Sequence, residues 1–205
     1  MEKAPGTGGM PGWLKGLLIA FAVFAVLGTV AVVGGLFFVG KVAGDMQNPT
    51  KIRTIASSFM KVSEPLPTGF DFKFGFDFAG NKLVAVMNSD KDLTLIFGQI
   101  QDKNGDLKDP DKVIEKLSAA PSGGSVGNSR SKFEPEKEGS ETVGGRKMSY
   151  VLGHTVDKKS NRKVQTFIGL FEPTAAGTVM VLGTSSKADF DMAATDEVLK
   201  HVASI

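Results

Sequence analysis

Few side chains in this chain of 205 residues are suited to acid–base or nucleophilic catalysis. It contains two histidines, one tyrosine and no cysteine, which excludes thiol chemistry, disulfides and most structural zinc sites. A hydrolase would need a nucleophile beside a base, and His154 and His201 are the only histidine bases. His154 has no second histidine or acidic cluster at a usable sequence spacing. We therefore expect no catalytic residues and no enzyme activity.

Two short stretches resemble ligand-binding motifs but lack essential positions. Residues 102–106 place side-chain oxygens at positions one, three and five of a calcium loop. Such a loop also needs glycine at position six and glutamate at position twelve, where this chain has Leu107 and Val113. Gly123-Gly124 does not complete a phosphate-binding GxGxxG motif. We expect no metal and no cofactor.

The charge balance excludes one class of partner. The chain has 24 basic and 22 acidic side chains, and the first forty residues hold only Lys3, Lys15 and Glu2 of these. The remainder is therefore nearly neutral and lacks the strongly basic surface typical of proteins that bind nucleic acid. We expect no nucleic-acid partner.

Alternating phenylalanines form the strongest local pattern after residue 60. A period of two predicts a β-strand with the rings on one face and polar groups on the other. The favoured interpretation is a sheet face covered by a helix, and the alternative is a groove or exposed patch for a lipid or a partner. The residues of this candidate apolar face are Phe70, Phe72, Phe74, Phe76 and Phe78.

Helical and strand patterns predict an α+β domain over residues 64–205, with an antiparallel sheet flanked by helices. Asn48-Pro49 should begin an amphipathic helix that reaches Val62 and packs on this domain. A final helix should occupy 189–205, with Ala194, Val198 and Val202 inward. The predicted strands cover 70–78, 82–87 and 93–100, a weaker 133–142, and then 146–156, 162–172 and 178–184.

An uncharged apolar run, Gly16–Gly40, predicts a single transmembrane helix over residues 14–40. At about 1.5 Å per residue, such a helix crosses a hydrocarbon core of roughly 30 Å. Trp13, Lys15 and Lys41 flank the run as membrane-interface anchors. Residues 1–13 are expected to be a flexible tail and 41–63 a juxtamembrane segment. A cleaved signal peptide is the alternative, but its apolar region would be shorter, roughly 7–15 residues.

Small residues share one face of this predicted helix. Gly28, Ala31 and Gly35 lie three and four residues apart, the pattern of close helix contacts in membranes. We interpret them as a docking face for a second copy or for another membrane protein. The charges beside the run do not settle the orientation. We expect a bacterial inner (cytoplasmic) membrane protein with an extracytoplasmic C-terminal domain.

Two stretches resemble a known family pattern. Leu66–Phe70 leads into the phenylalanine strand, and Val143–Arg146 opens a second set of strands that ends in a helix after Phe190. Together they resemble the Mog1/PsbP-like α/β/α sandwich, including bacterial lipoproteins of the DcrB type. The resemblance implies an antiparallel sheet flanked by helices and a non-catalytic accessory role at a membrane surface. It carries over no ligand residues, and this chain has a predicted helix in place of a lipidated cysteine.

The sequence therefore favours a membrane-anchored, non-catalytic binding or assembly module, an accessory subunit of a bacterial membrane protein complex. Its expected partners are the lipid bilayer and a membrane protein or a second copy. The alternative is a tethered carrier of a small apolar ligand in a phenylalanine-lined pocket. A third hypothesis is an anchored hydrolase.

Overall fold

The computed structural model describes residues 46–78, 80–101, 107–113, 131–157 and 163–205. No helix among these residues is both long and apolar enough to span a membrane. The predicted span 14–40, its docking face and its three anchors lie outside the described residues, as do the tail 1–13, the calcium-like stretch 102–106 and Gly123-Gly124. The helices with both ends described are α1 (Pro49–Ser57) and α2 (Met192–Lys200), and residues 110–113 are also helical. The strands are β1 (Lys61–Val62), β2 (Asp71–Phe78), β3 (Asn81–Asn88), β4 (Leu93–Ile100), β5 (Ser131–Val143), β6 (Arg146–Asp157), β7 (Lys163–Phe171), β8 (Thr178–Ser185) and β9 (Val202–Ser204).

Seven of the described strands form one antiparallel sheet in the order β2-β3-β4-β8-β7-β6-β5. The strands β2 to β4 follow one another in space, as do β5 to β8, so the sheet consists of two meanders. They join where β4 pairs with β8, with Phe97 opposite Val181. The predicted antiparallel α+β class is confirmed at this level.

Helix α1 begins as its sequence predicts and ends earlier. The side chain of Asn48 accepts hydrogen bonds from the amides of Thr50 and Lys51, and Pro49 occupies the first turn. Ile52 is fully buried, which confirms that the helix packs on the domain. The expected extension to Val62 is wrong, because Lys61–Val62 pairs as a strand with β9.

The C-terminal helix is also shorter than expected. Asp191 caps it by accepting a hydrogen bond from the amide of Ala194 at 2.8 Å. Ala194 and Val198 are buried as predicted. The helix ends at Lys200, and Val202 lies in β9, where pairing with β1 satisfies the backbone in place of further helical turns. The prediction of a helix over 201–205 is therefore wrong.

The sheet has an apolar core on each side. We call the side covered by α1 and α2 the helix face; its core includes Leu95, Phe97, Phe167 and Val181. The opposite side, the second face, carries Val151, Ile168, Leu170, Met180 and Leu182, with Leu107 and Val113 packed against them. Because successive side chains of a strand point to opposite faces, central strands buried on both sides read as continuous apolar runs.

Candidate functional site

A β-bulge in β2 divides the phenylalanines that the sequence placed on one face. Phe72 pairs with Val86 and Phe74 pairs with Ala85, so the register shifts by one residue at Lys73. Directly opposed residues of antiparallel strands point to the same face. Since Val86 and Ala85 are neighbours on β3, Phe72 and Phe74 lie on opposite faces.

The prediction of five rings on one face is therefore wrong. Phe70 is buried and Phe72 half-buried in the helix-face core. Phe74 and Phe76 lie half-buried on the second face, and the backbone of Phe78 pairs with Asn81. Simple alternation does not show an inserted residue, which is why the sequence did not reveal the split.

Gly75 allows α1 to lie directly on β2. A Cβ atom at this position would stand 3.1 Å from the Cα atom of Ile52 and 3.1 Å from its Cγ1 atom. Both distances are tighter than ordinary van der Waals contact, so any larger side chain would push the helix outward. The absence of a side chain at Gly75 thus allows the close packing of α1 on β2.

The strand β2 is also an edge of the sheet. Within the described chain, β3 is its only neighbouring strand. Its exposed side chains carry charge: Asp71 and Lys73 form an ion pair at 2.9 Å, and Asp77 lies further along the strand. An edge strand presents backbone donors and acceptors that can pair with another chain. We call β2, with these side chains, the phenylalanine edge.

Two grooves on the described surface include at most one of these phenylalanines. Phe72 is the only phenylalanine along a groove of about 360 Å³ beside α1, which is lined otherwise by residues such as Arg53, Met60 and Glu64. A second groove of about 610 Å³ is lined by Pro67, Thr68, Lys91, Glu197, Lys200 and His201. Most of the residues that line each groove are polar or charged, whereas a typical small-molecule pocket is lined mainly by hydrophobic and aromatic side chains.

His154 binds two carboxylates that the sequence separates by 18 and 20 positions. Its Nε2 atom lies 2.8 Å from Oε2 of Glu134, and its Nδ1 atom lies 2.7 Å from Oε1 of Glu136. The acidic neighbours come from β5, where Glu134 pairs directly with His154. Strand register rather than sequence spacing brings these groups together, which is why the spacing of the acidic residues did not indicate the contact.

This cluster is a side-chain contact between two neighbouring strands. Each ring nitrogen of His154 lies within hydrogen-bond distance of one carboxylate oxygen. His154 is 9% exposed, and both of its nitrogens are engaged. No group of three His, Cys, Asp or Glu side chains arranged to hold a metal occurs among the described residues. The glutamates bind the ring itself and do not converge with it on a common point.

Asp111 binds both Lys147 and Ser149 on β6. Its Oδ2 atom lies 2.5 Å from Nζ of Lys147, and Oγ of Ser149 donates to its Oδ1 atom. The hydrogen bond to Lys147, followed by that to Ser149, lowers the pKa of Asp111, while the same bond to Asp111 raises the pKa of Lys147. A lysine that acts as a general base needs a lowered pKa, so the geometry favours a structural ion pair.

Two carboxylates face each other between β5 and α2. Burial, followed by the charge of Asp196, raises the pKa of Glu141. Oε1 of Glu141 and Oδ1 of Asp196 are both buried and lack a hydrogen-bond partner in the described structure. Loss of water and a nearby like charge both favour the protonated form of the Glu141 carboxyl. The contact therefore costs stability when both groups are ionised.

Comparisons with known proteins identify no family. No family model and no curated protein matches the chain. Among solved structures, it is similar to the immunity protein TplEi of the type VI secretion system of Pseudomonas aeruginosa, with a TM-score of 0.39 and 12% identity over 67% of this chain and 47% of that one. The chain thus spans about half of that protein.

Two further structures show similarity of the same order. For LpqN, involved in cell envelope biogenesis of Mycobacterium tuberculosis, the TM-score is 0.34 with 16% identity over 68% of this chain and 79% of that one. For PA94 of Pseudomonas aeruginosa, described as a putative regulator of unknown function, the TM-score is 0.37 with 12% identity over 70% and 96%. The resemblance to the PsbP-like sandwich is not confirmed by these comparisons.

Proposed function

We propose that this protein is a single-pass membrane protein whose sheet domain is a non-catalytic binding module, an accessory subunit of a bacterial membrane protein complex. A PsbP-like arrangement and an extracytoplasmic position of the domain are parts of this proposal. The partner is a membrane protein or a second copy of the chain.

The observation that carries the proposal is the short distance between the apolar run and the folded domain. The run 16–40 contains no charged residue, and α1 begins at Pro49. Eight residues lie between them, and at roughly 3.4 Å each they span at most about 27 Å. A membrane helix over this run would therefore hold the domain beside the bilayer.

The side-chain clusters of the described domain support a binding role. Both ring nitrogens of His154 are bound to carboxylates, and Asp111 keeps Lys147 charged. Among the hydrogen bonds of the described residues, His201 contacts the carbonyl oxygen of Glu197 through Nδ1. None of these contacts joins a histidine to a hydroxyl nucleophile, the pairing that a hydrolase of the anchored type requires.

Membrane insertion and orientation can be tested together because the chain has no cysteine. Single substitutions Thr7→Cys and Lys61→Cys would be labelled in intact cells with a membrane-impermeant maleimide, with lysed cells as the control. We expect the protein in the alkali-resistant membrane fraction and label on Lys61→Cys alone before lysis. Recovery of the full-length chain in the aqueous fraction would overturn the anchor, and label on Thr7→Cys alone would reverse the orientation.

The proposed docking face is tested by enlarging its small residues. The double substitution Gly28→Ile/Gly35→Ile should abolish co-purification of the membrane partner from native membranes, because bulky side chains prevent close helix approach. Val33→Ile is the matched control, since it adds volume to the same helix on the side opposite that face. Equal recovery of the partner with both variants would remove this face from the proposal.

A further inference from the structure

The centre of the phenylalanine edge is complementary to itself. Read outward from Gly75, both directions of the strand meet phenylalanine first, at Phe74 and Phe76. The next residues have opposite charge, Lys73 on one side and Asp77 on the other. An antiparallel pairing of two copies about Gly75 therefore places unlike charges opposite each other twice.

We propose that two copies of this chain form a symmetric dimer by antiparallel pairing of their β2 edges, centred on Gly75. Lys73 then lies opposite Asp77 of the second copy, and Phe74 lies opposite Phe76 of the second copy. The two seven-stranded sheets join into one. This surface is distinct from the proposed docking face in the membrane, and it does not depend on that face.

The position of β2 supports this pairing. It ends the sheet among the described strands, so one side of its backbone is directed away from β3. From Phe74 to Phe78 its register with β3 is regular, and the bulge at Lys73 lies at the end of the proposed contact. Gly75 itself contributes no side chain at the centre, and Ile52 of α1 lies over it on the helix face.

The exposed charges support a second copy as the occupant. Asp77 is exposed and forms no ion pair within the described structure, and the ion pair of Lys73 with Asp71 is itself exposed. Lys73 can therefore reach a second carboxylate at little cost. Phe74 and Phe76 are both half-buried on the second face, so two aromatic cross-strand pairs would cover them further.

Charge exchange tests the pairing directly. The full-length chain in detergent micelles would be followed by dilution with fluorescence energy transfer between labelled copies. Lys73→Asp alone and Asp77→Lys alone each place like charges opposite each other twice, and each should raise the dimer dissociation constant about tenfold. The double exchange Lys73→Asp/Asp77→Lys restores unlike pairs and should restore the dissociation constant. Lys137→Asp, the same charge change on exposed β5, should leave it unchanged.

A register-specific cross-link provides a second measurement. Directly opposed residues of paired strands have Cβ atoms about 4.5–5.5 Å apart, within reach of a disulfide after small adjustment. Lys73→Cys/Asp77→Cys should therefore give a covalent dimer under mild oxidation. Either single cysteine should not, because identical positions would lie about 13 Å apart along the strands.

The outcomes separate this dimer from association through the membrane helix. A wild-type monomer at all concentrations, failure of the double exchange to restore binding, or an equal effect of Lys137→Asp overturns the β2 pairing. A dimer that resists all charge variants and is lost with Gly28→Ile/Gly35→Ile also overturns it, and supports the membrane contact. Loss of membrane insertion with a charge-dependent dimer retained overturns only the proposed function.

Discussion

The two edge strands of the sheet, β2 and β5, are held by different interactions. The β2 edge is held by apolar packing, since Ile52 of α1 lies fully buried against Gly75. The β5 edge is held by polar contacts, in which His154 binds Glu134 and Glu136. Apolar packing leaves the outer backbone of β2 available, whereas β5 is covered with charge.

The β5 edge carries several features that discourage pairing with another chain. Its thirteen residues include four glutamates, two lysines and Pro135, which lacks a backbone donor. A bulge follows Pro135 and interrupts the regular register. Natural sheets use charge, proline and bulges to prevent edge-to-edge association. The contrast between the two edges is consistent with the proposed pairing of two copies through β2, whereas β5 is protected from pairing with another chain.

The largest effect is expected where α1 holds β2. Ile52→Ala removes a fully buried side chain and should lower the free energy of unfolding by about 3 kcal/mol. Denaturant unfolding measures the loss, and hydrogen exchange locates it at the β2 amides. Ile55→Ala, at a half-buried position of the same helix, is the control and should cost clearly less. Equal loosening of β5 would mean that the two edges are not held independently.

A smaller effect is expected at the β5 contact. His154→Ala removes the ring that contacts both Glu134 and Glu136 and should lower the free energy of unfolding by about 1.5 kcal/mol, since both carboxylates are partly solvated. Exchange should increase in β5 and not in β2. His201→Ala, at a half-buried position, is the matched change and should have little effect. An unchanged β5 edge in His154→Ala would show that the ionic contact does not hold it.

The smallest effect is expected at Glu141 and depends on pH. Replacing this residue should raise the free energy of unfolding, whereas the two preceding substitutions should lower it. Because the pKa of Glu141 is raised in the folded state, the folded state holds this proton more tightly than the unfolded chain. Stability from this group is therefore lost as the pH rises through the folded pKa. Glu141→Gln should raise the free energy of unfolding at pH 7 by about 0.5 kcal/mol, because the carboxylate is partly solvated.

The gain from Glu141→Gln should shrink as the pH is lowered, since the wild-type carboxyl is then already neutral. Thermal unfolding between pH 4 and pH 7 measures this dependence. Glu138→Gln, an exposed carboxylate on the same strand, is the control and should show no comparable gain. A gain that stays constant across this range would contradict protonation as its cause.

Local patterns predicted the elements of the fold but not all of their ends. Residue types and spacing predicted the Asn48-Pro49 start of α1, the strands of the antiparallel sheet and the buried stripe of Ala194 and Val198. Both helices end earlier than predicted because the residues that follow them, β1 and β9, pair with each other although they lie near opposite ends of the domain sequence. No window of sequence contains both partners of that pairing.

The sequence by itself determined the alternation of β2, the self-complementary charges about Gly75 and the uncharged run before the domain, because each depends only on neighbouring residues. Tertiary structure alone decided that β2 is an edge and that a bulge separates Phe72 from Phe74. It likewise brought Glu134 and Glu136 to His154. Strand order and register depend on which distant segments pair, and a one-residue shift in register moves every later side chain to the other face.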